Sequence, residues 1–169
     1  MSSRADPSHQ ERVLFVCLGN ICRSPTAEGV FRSILPEYGL EGIVEADSAG
    51  THGYHLGASP DQRAREAAAR RGIRLDGMKA RQVSRRDFQE FDRILAMDQS
   101  NLLHLQQAAP PQGRDRVRLF LDYAPNQETM EVPDPYFGGD RGFEVVLDLV
   151  EEAARGLAEA IREARGLRS

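Results

Sequence analysis

Cys17 and Arg23 are separated by five residues, Leu18-Gly19-Asn20-Ile21-Cys22, and Ser24 follows directly. A thiol, a guanidinium fork and a hydroxyl at this spacing can serve one reaction. Gly19 permits a left-handed backbone, and Asn20 is the next residue type most tolerant of it. A turn of that kind aims successive N–H groups of Leu18 to Cys22 inward and forms an anion nest. A helix beginning near Arg23 adds its positive end, and Arg23 adds planar donors that match two phosphate oxygens. Among such donors the pKa of Cys17 is expected to fall, giving a thiolate at neutral pH, with Ser24 donating to it. A nucleophile in a phosphate cradle implies phosphoryl transfer through a phosphocysteine.

The elements around this stretch must present it. Val13–Val16 is a β-branched and aromatic run that reads as a buried strand, with Cys17 the first residue beyond it. Pro25 suits the first turn of a helix running from about Arg23 to Leu35. A second strand fits Ile43–Ser48. Ser59, Pro60 and Gln62 read as N-cap, N1 and N3 of a helix that ends at Gly72. Ser84 caps a short helix through "RRDFQEFD". Arg93–Met97 is a third strand, Asp98 to about Ala108 a helix, and Val117–Leu121 a fourth strand. A loop rich in Pro, Asn and Gly leads to a last helix over Gly142–Gly166. Its stripe is Phe143, Val146, Leu147, Val150, Ala154, Leu157, Ile161 and Ala164. Alternating strands and helices imply parallel β-α units and a three-layer α/β/α fold. In an open α/β sheet ligands bind beyond the carboxyl ends of the strands, where Cys17 falls. Residues 1–11 read as a disordered tail and residues 12–169 as one domain.

The 169 residues suit a single core. With 22 basic and 26 acidic residues the chain lacks the basic bias of nucleic-acid binders. No apolar run is long enough for membrane insertion, and the N-terminus lacks a signal-peptide core. These absences favour a cytoplasmic location. Its two cysteines, both in the loop, are there catalytic, redox-active or simply buried. As an isolated thiol Cys17 would read as a packed core residue. The coincidence of glycine, asparagine, arginine and serine at a strand-to-helix turn favours the nucleophile. His52 and His55, with no cysteine or carboxylate cluster beside them, make a poor metal site, so no metal and no cofactor are expected. The charges of "EEAARGLAEAIREAR" read as a solvated helix face.

The stretch "VCLGNICRSPTAEG" resembles the active-site loop of the low-molecular-weight protein tyrosine phosphatases. The resemblance runs from about Arg12 to Ala164 through "DSAGT" and "YHLG", "ARQVSRRDFQEFDRILAMDQSN", and "DPYFGG" with "GFE", in the family's order. It implies a four-stranded parallel sheet in order 2-1-3-4 and metal-independent hydrolysis of a phosphotyrosine-containing protein or a small aryl phosphate. Asp134 matches the family's general acid, which then turns base and activates water. Tyr54 and Tyr136 match its aromatic pocket walls, Asn20 its loop asparagine, and Ser48 a serine that supports the loop by hydrogen bonding. Cys22 matches its second loop cysteine, expected to form a reversible disulfide with Cys17 under oxidation. Two positions depart from the family pattern: Met78 stands where a supporting histidine is common, and Phe137 where the acid loop often has a second tyrosine. Alternative readings are a thioredoxin-coupled arsenate reductase of the same fold, which needs thiols beyond Cys22 that this chain lacks, and a non-catalytic phosphotyrosine-binding or redox-sensing module.

Overall fold

The computed structural model describes residues 9–125, 128–135 and 139–167. Four parallel strands form one sheet: β1 (Glu11–Cys17), β2 (Val44–Gly50), β3 (Arg93–Ala96) and β4 (Val117–Leu119). Their order is β2-β1-β3-β4, as expected. Cys17 is the last residue of β1, in register with Gly50, rather than the first residue beyond it. Glu11, assigned to the tail, already belongs to the strand. Its carboxylate takes Arg93 Nε at 2.8 Å, which ties the strand's start to β3.

Side chains of β1 alternate between two cores, as strand geometry requires. Val13, Phe15 and Cys17 face one cluster, with α1 (Arg23–Ile34), α2 (Gln62–Ala69) and α5 (Gly139–Ala164). Leu14 and Val16 face the other, with α3 (Asp87–Glu90) and α4 (Gln99–Ala108). Phe15 anchors the larger core, edge-on to Phe31 at 5.6 Å and to Phe120 at 5.0 Å between ring centroids. On α5 the expected stripe is buried from Phe143 to Ile161, joined by Leu149, Ala153 and Ala158. Ala164, expected on that stripe, is exposed, because the helix ends there. Gly156 lets α5 approach the 3-10 turn Phe120–Tyr123, where an added Cβ would lie 1.8 Å from the Tyr123 carbonyl oxygen.

Two caps differ from expectation. The N-cap of α2 is Asp61, whose carboxylate accepts from Arg63 N at 2.8 Å, and Ser59 lies before the helix. At α3, a single turn, the N-cap is Arg86, with no side-chain cap bond; Ser84 lies before the helix and its amide donates to Asp87 Oδ2 at 2.7 Å. The fourth strand stops at Leu119, and Phe120–Tyr123 tightens into the 3-10 turn.

Candidate active site

The strand-to-helix turn after β1 closes around Cys17. Its thiol is 3% exposed and lies 3.1 Å from Ser24 Oγ, and it accepts from Asn20 N at 3.3 Å. Asn20 is the single described non-glycine residue with positive φ, at 60°. That conformation turns its amide toward the sulfur and its side chain into the protein. There Nδ2 donates to Ser24 Oγ at 2.8 Å and to Ser48 Oγ at 3.0 Å, while Oδ1 accepts from Arg81 N at 2.9 Å. Ser48 in turn donates to Glu28 Oε1 at 2.7 Å, and Glu28 Oε2 pairs with Arg32 Nη1 at 2.8 Å. The result is a buried polar chain from the thiol through Ser24, Asn20 and Ser48 to the Glu28 carboxylate. Every link has a partner, the condition under which a buried network orients its members instead of destabilising the fold.

No side chain caps the N-terminus of α1, whose first amides stand at the end of the loop. Arg23 sits beside them with its side chain 4% exposed. Its Nη1 donates to Asp98 Oδ2 at 2.6 Å and to the Val132 carbonyl at 3.0 Å, and its Nη2 lies 3.9 Å from Asp134 Oδ2. Burial opposes its charge, but Cys17, Asp98 and Asp134 together hold its pKa above the ordinary arginine value. Burial has the opposite consequence for Cys22, whose pKa, helped by Asp61, Cys17 and Asp134, is pushed up to about 12. Cys22 is therefore a neutral thiol at physiological pH.

A cavity of about 160 Å³ opens over the loop, lined by Cys17, Leu18, Gly19, Ile21, Cys22, Arg23, Tyr54, His55 and Asp134. An apolar cavity of roughly 150 Å³ accommodates a benzene ring. Thiol, guanidinium, carboxylate and the Tyr54 wall thus share one opening. Asn20 and Ser24 lie behind the loop, buried at 3% and 0% exposure, and Ser48 supports them from the end of β2. Tyr136 and Phe137 lie outside the described residues.

Several participants carry no signal in the motif itself. Asp98 reads from the sequence as a helix start, and its Oδ1 does cap α4 by accepting from Asn101 N at 2.8 Å. Its second oxygen orients Arg23, 75 positions away in the chain. Glu28 stands one helical turn from both Ser24 and Arg32, a spacing that marks a shared face, but only the fold brings Ser48 to it. Met78 packs against the larger core, while the Ser48 hydroxyl is taken by Glu28. His55 covers Gly19, where an added Cβ would meet its ring at 2.8 Å.

A thiol that accepts from the Asn20 amide, a buried guanidinium and a nearby carboxylate share one cavity at the end of a parallel sheet, an arrangement suited to a phosphate group. Residues 12–166 match the family model for low molecular weight phosphotyrosine protein phosphatase, and the chain belongs to that family. It is 44% identical over 155 residues to the low molecular weight protein-tyrosine-phosphatase YfkJ of Bacillus subtilis, covering 92% of this chain and 98% of that one. To the human low molecular weight phosphotyrosine protein phosphatase it is 40% identical over 149 residues, covering 87% and 93%. Among solved structures it superimposes on a protein tyrosine phosphatase from Entamoeba histolytica with Hepes in the active site. The TM-score there is 0.89 at 40% identity, over 91% of this chain and 98% of that one.

Proposed function

We propose that this chain hydrolyses phosphotyrosine and small aryl phosphates through a phosphocysteine intermediate. The observation that carries the reading is the convergence of Cys17, Arg23 and Asp134 on one cavity. The Cys17 thiolate, held by the Ser24 hydroxyl and the Asn20 amide, attacks phosphorus. Arg23 and the amides of Leu18 to Cys22 bind the phosphoryl oxygens as charge shifts onto them. As the P–O bond breaks, protonated Asp134 gives its proton to the departing phenolic oxygen. The resulting carboxylate then takes a proton from water, whose oxygen attacks phosphorus. The P–S bond breaks, the thiolate is restored and inorganic phosphate leaves. Leu18, Ile21 and Tyr54 make the walls that an aryl group contacts. Phosphoserine has no ring to lay against these walls, so the walls favour phosphotyrosine.

Cys22 supports a second role within the same loop. Peroxide oxidises the Cys17 thiolate to a sulfenic acid, and the Cys22 sulfur displaces its hydroxyl to give a disulfide and water, which external thiols later reduce. Because burial keeps Cys22 protonated, disulfide closure should accelerate with pH from 7 to 9. Recovery of a Cys22→Ser variant equal to wild type would contradict this role. Among the described residues no helix is long and apolar enough to cross a membrane. A reducing cytoplasm would keep both thiols, free here, in the active form.

The test compares phosphate release from phosphotyrosine and phosphoserine peptides in chelator and reductant. Wild type should act on phosphotyrosine alone. Cys17→Ser should abolish turnover, and Asp134→Ala should lower it roughly 10²- to 10⁴-fold while substrate still binds. Normal turnover by either folded variant refutes that residue's role.

A further inference from the structure

Tyr54 forms a wall of the cavity yet is 67% exposed. A phenol that open has many rotamers, and a wall that wanders contributes little to binding, because each encounter must order it first. The backbone pins the two ends of its loop. Thr51 N and His52 N donate to the Cys17 and Leu18 carbonyls at 2.8 and 3.1 Å, and Gly57 N donates to Ala80 O at 2.8 Å. The Tyr54 side chain lies between these anchors. Its ring stacks on His52, with centroids 5.1 Å apart and planes 8° from parallel. His52 is itself held twice. Its Nδ1 meets Thr51 Oγ1 at 2.8 Å, and its ring contacts His104 of α4 at 5.0 Å, tilted by 46°. Thr51 is fully buried, and α4 is part of the packed frame on the sheet's second face.

We infer that His104 and His52 are positioning residues that hold Tyr54 upright as a preformed wall for the substrate's aromatic ring. This rests on the phosphatase reading above and adds the source of its preference for aryl esters. The line runs His104, His52, Tyr54, then the ligand's ring. Its rings stand apart from the bonds that hold Cys17 and Arg23, which come from the loop and Asp98, and only the His52 main chain meets the cradle, at the Leu18 carbonyl. The two parts of the ligand therefore separate experimentally: the stack acts on the ring and leaves the phosphate alone.

Calorimetric titration with phenylphosphonate and with inorganic phosphate tests this without turnover. His52→Ala and His104→Ala should each weaken phenylphosphonate about 3- to 10-fold, the worth of an aromatic stack, and leave phosphate affinity unchanged. His52→Phe and His104→Phe, which keep a ring in place, should restore most of the loss. The double alanine variant should be little worse than either single one, because the two rings act in series. The wild-type Tyr54 ring protons should also show a ring-current shift that disappears in His52→Ala. Unchanged phenylphosphonate affinity in both alanine variants overturns the inference, as does equal weakening of both anions, which would mean general damage to the loop. A folded wild type that binds neither anion would instead overturn the phosphatase reading itself, so the two failures are distinct.

Discussion

Replacing Asn20 tests whether the loop's shape is set by backbone conformation, by side-chain bonds or by both. Asn20 holds φ at 60° and makes three side-chain hydrogen bonds while 3% exposed. An alanine there meets the left-handed penalty of roughly 1–2 kcal/mol. Losing the three bonds, at about 0.5–1.5 kcal/mol each net, removes roughly 2–4 kcal/mol more and leaves the Arg81 amide without its acceptor. Asn20→Ala should therefore cost about 3–6 kcal/mol. Asn20→Gly loses the same bonds without the backbone penalty and should recover about 1 kcal/mol of that. Asn20→Asp keeps the acceptor for Arg81 but turns a carboxylate toward Ser24 and Cys17, so its turnover should fall further than its stability. Urea unfolding with linear extrapolation gives the stabilities, and phosphate release gives the turnover. An alanine variant as stable as the glycine variant would refute the conformational part. A loss below about 1 kcal/mol in both would refute the bonded network.

Asp98→Asn keeps an acceptor for the α4 cap but removes the charge facing Arg23. It should cost about 1.5–3 kcal/mol and weaken inorganic phosphate binding by calorimetry, whereas unchanged phosphate affinity would mean that the Val132 carbonyl alone orients the guanidinium. Burial raises the Glu28 pKa, against the opposing pulls of Ser48 and Arg32. A raised carboxyl stabilises the fold below its unfolded value, about 4.3, and that contribution is lost as pH rises through the folded value. Glu28→Gln, which does not titrate, should thus gain stability relative to wild type between pH 4 and 7 in urea titrations, and a constant or shrinking difference would contradict the sign. Gly156→Ala gains helix propensity of roughly 1 kcal/mol but drives a methyl into the Tyr123 carbonyl. Net destabilisation of about 1–3 kcal/mol is expected, and a thermal midpoint at or above wild type would show that α5 can move away.

What the sequence reveals here tracks how local the cause is. The β1 run, the loop and the α5 stripe are legible because each depends on neighbours within one or two turns. Caps are less so. Ser59 and Asp61 both precede the same helix, and only the 2.8 Å bond to Arg63 N selects Asp61. Ser84 likewise reads as a cap, yet the N-cap of α3 is Arg86 and the Ser84 amide donates to Asp87 Oδ2. The supports of the site are least legible. Asp98 is one acid among 26 acidic residues, and nothing adjacent to it marks a partner in α1. The Ser48–Glu28 bond likewise exists only because β2 and α1 pack together.

The site also divides by burial in a way that separates its two tasks. The groups that form and brace the loop, Cys17, Ser24, Asn20 and Arg23, are all 3% exposed or less. In such surroundings an unpaired polar group costs a large fraction of total stability, so a substitution must repair several bonds at once. The groups at the mouth, Leu18 and Tyr54, are 38% and 67% exposed. Exposed positions tolerate substitution at about ±0.5 kcal/mol. Chemistry is thereby tied to the fold's integrity, while the rim can change without touching it. The His104–His52–Tyr54 stack sits at the boundary between the two. It gives an exposed wall some of the order of the frame, and its loss should alter which ring is accepted before it alters whether phosphate is bound.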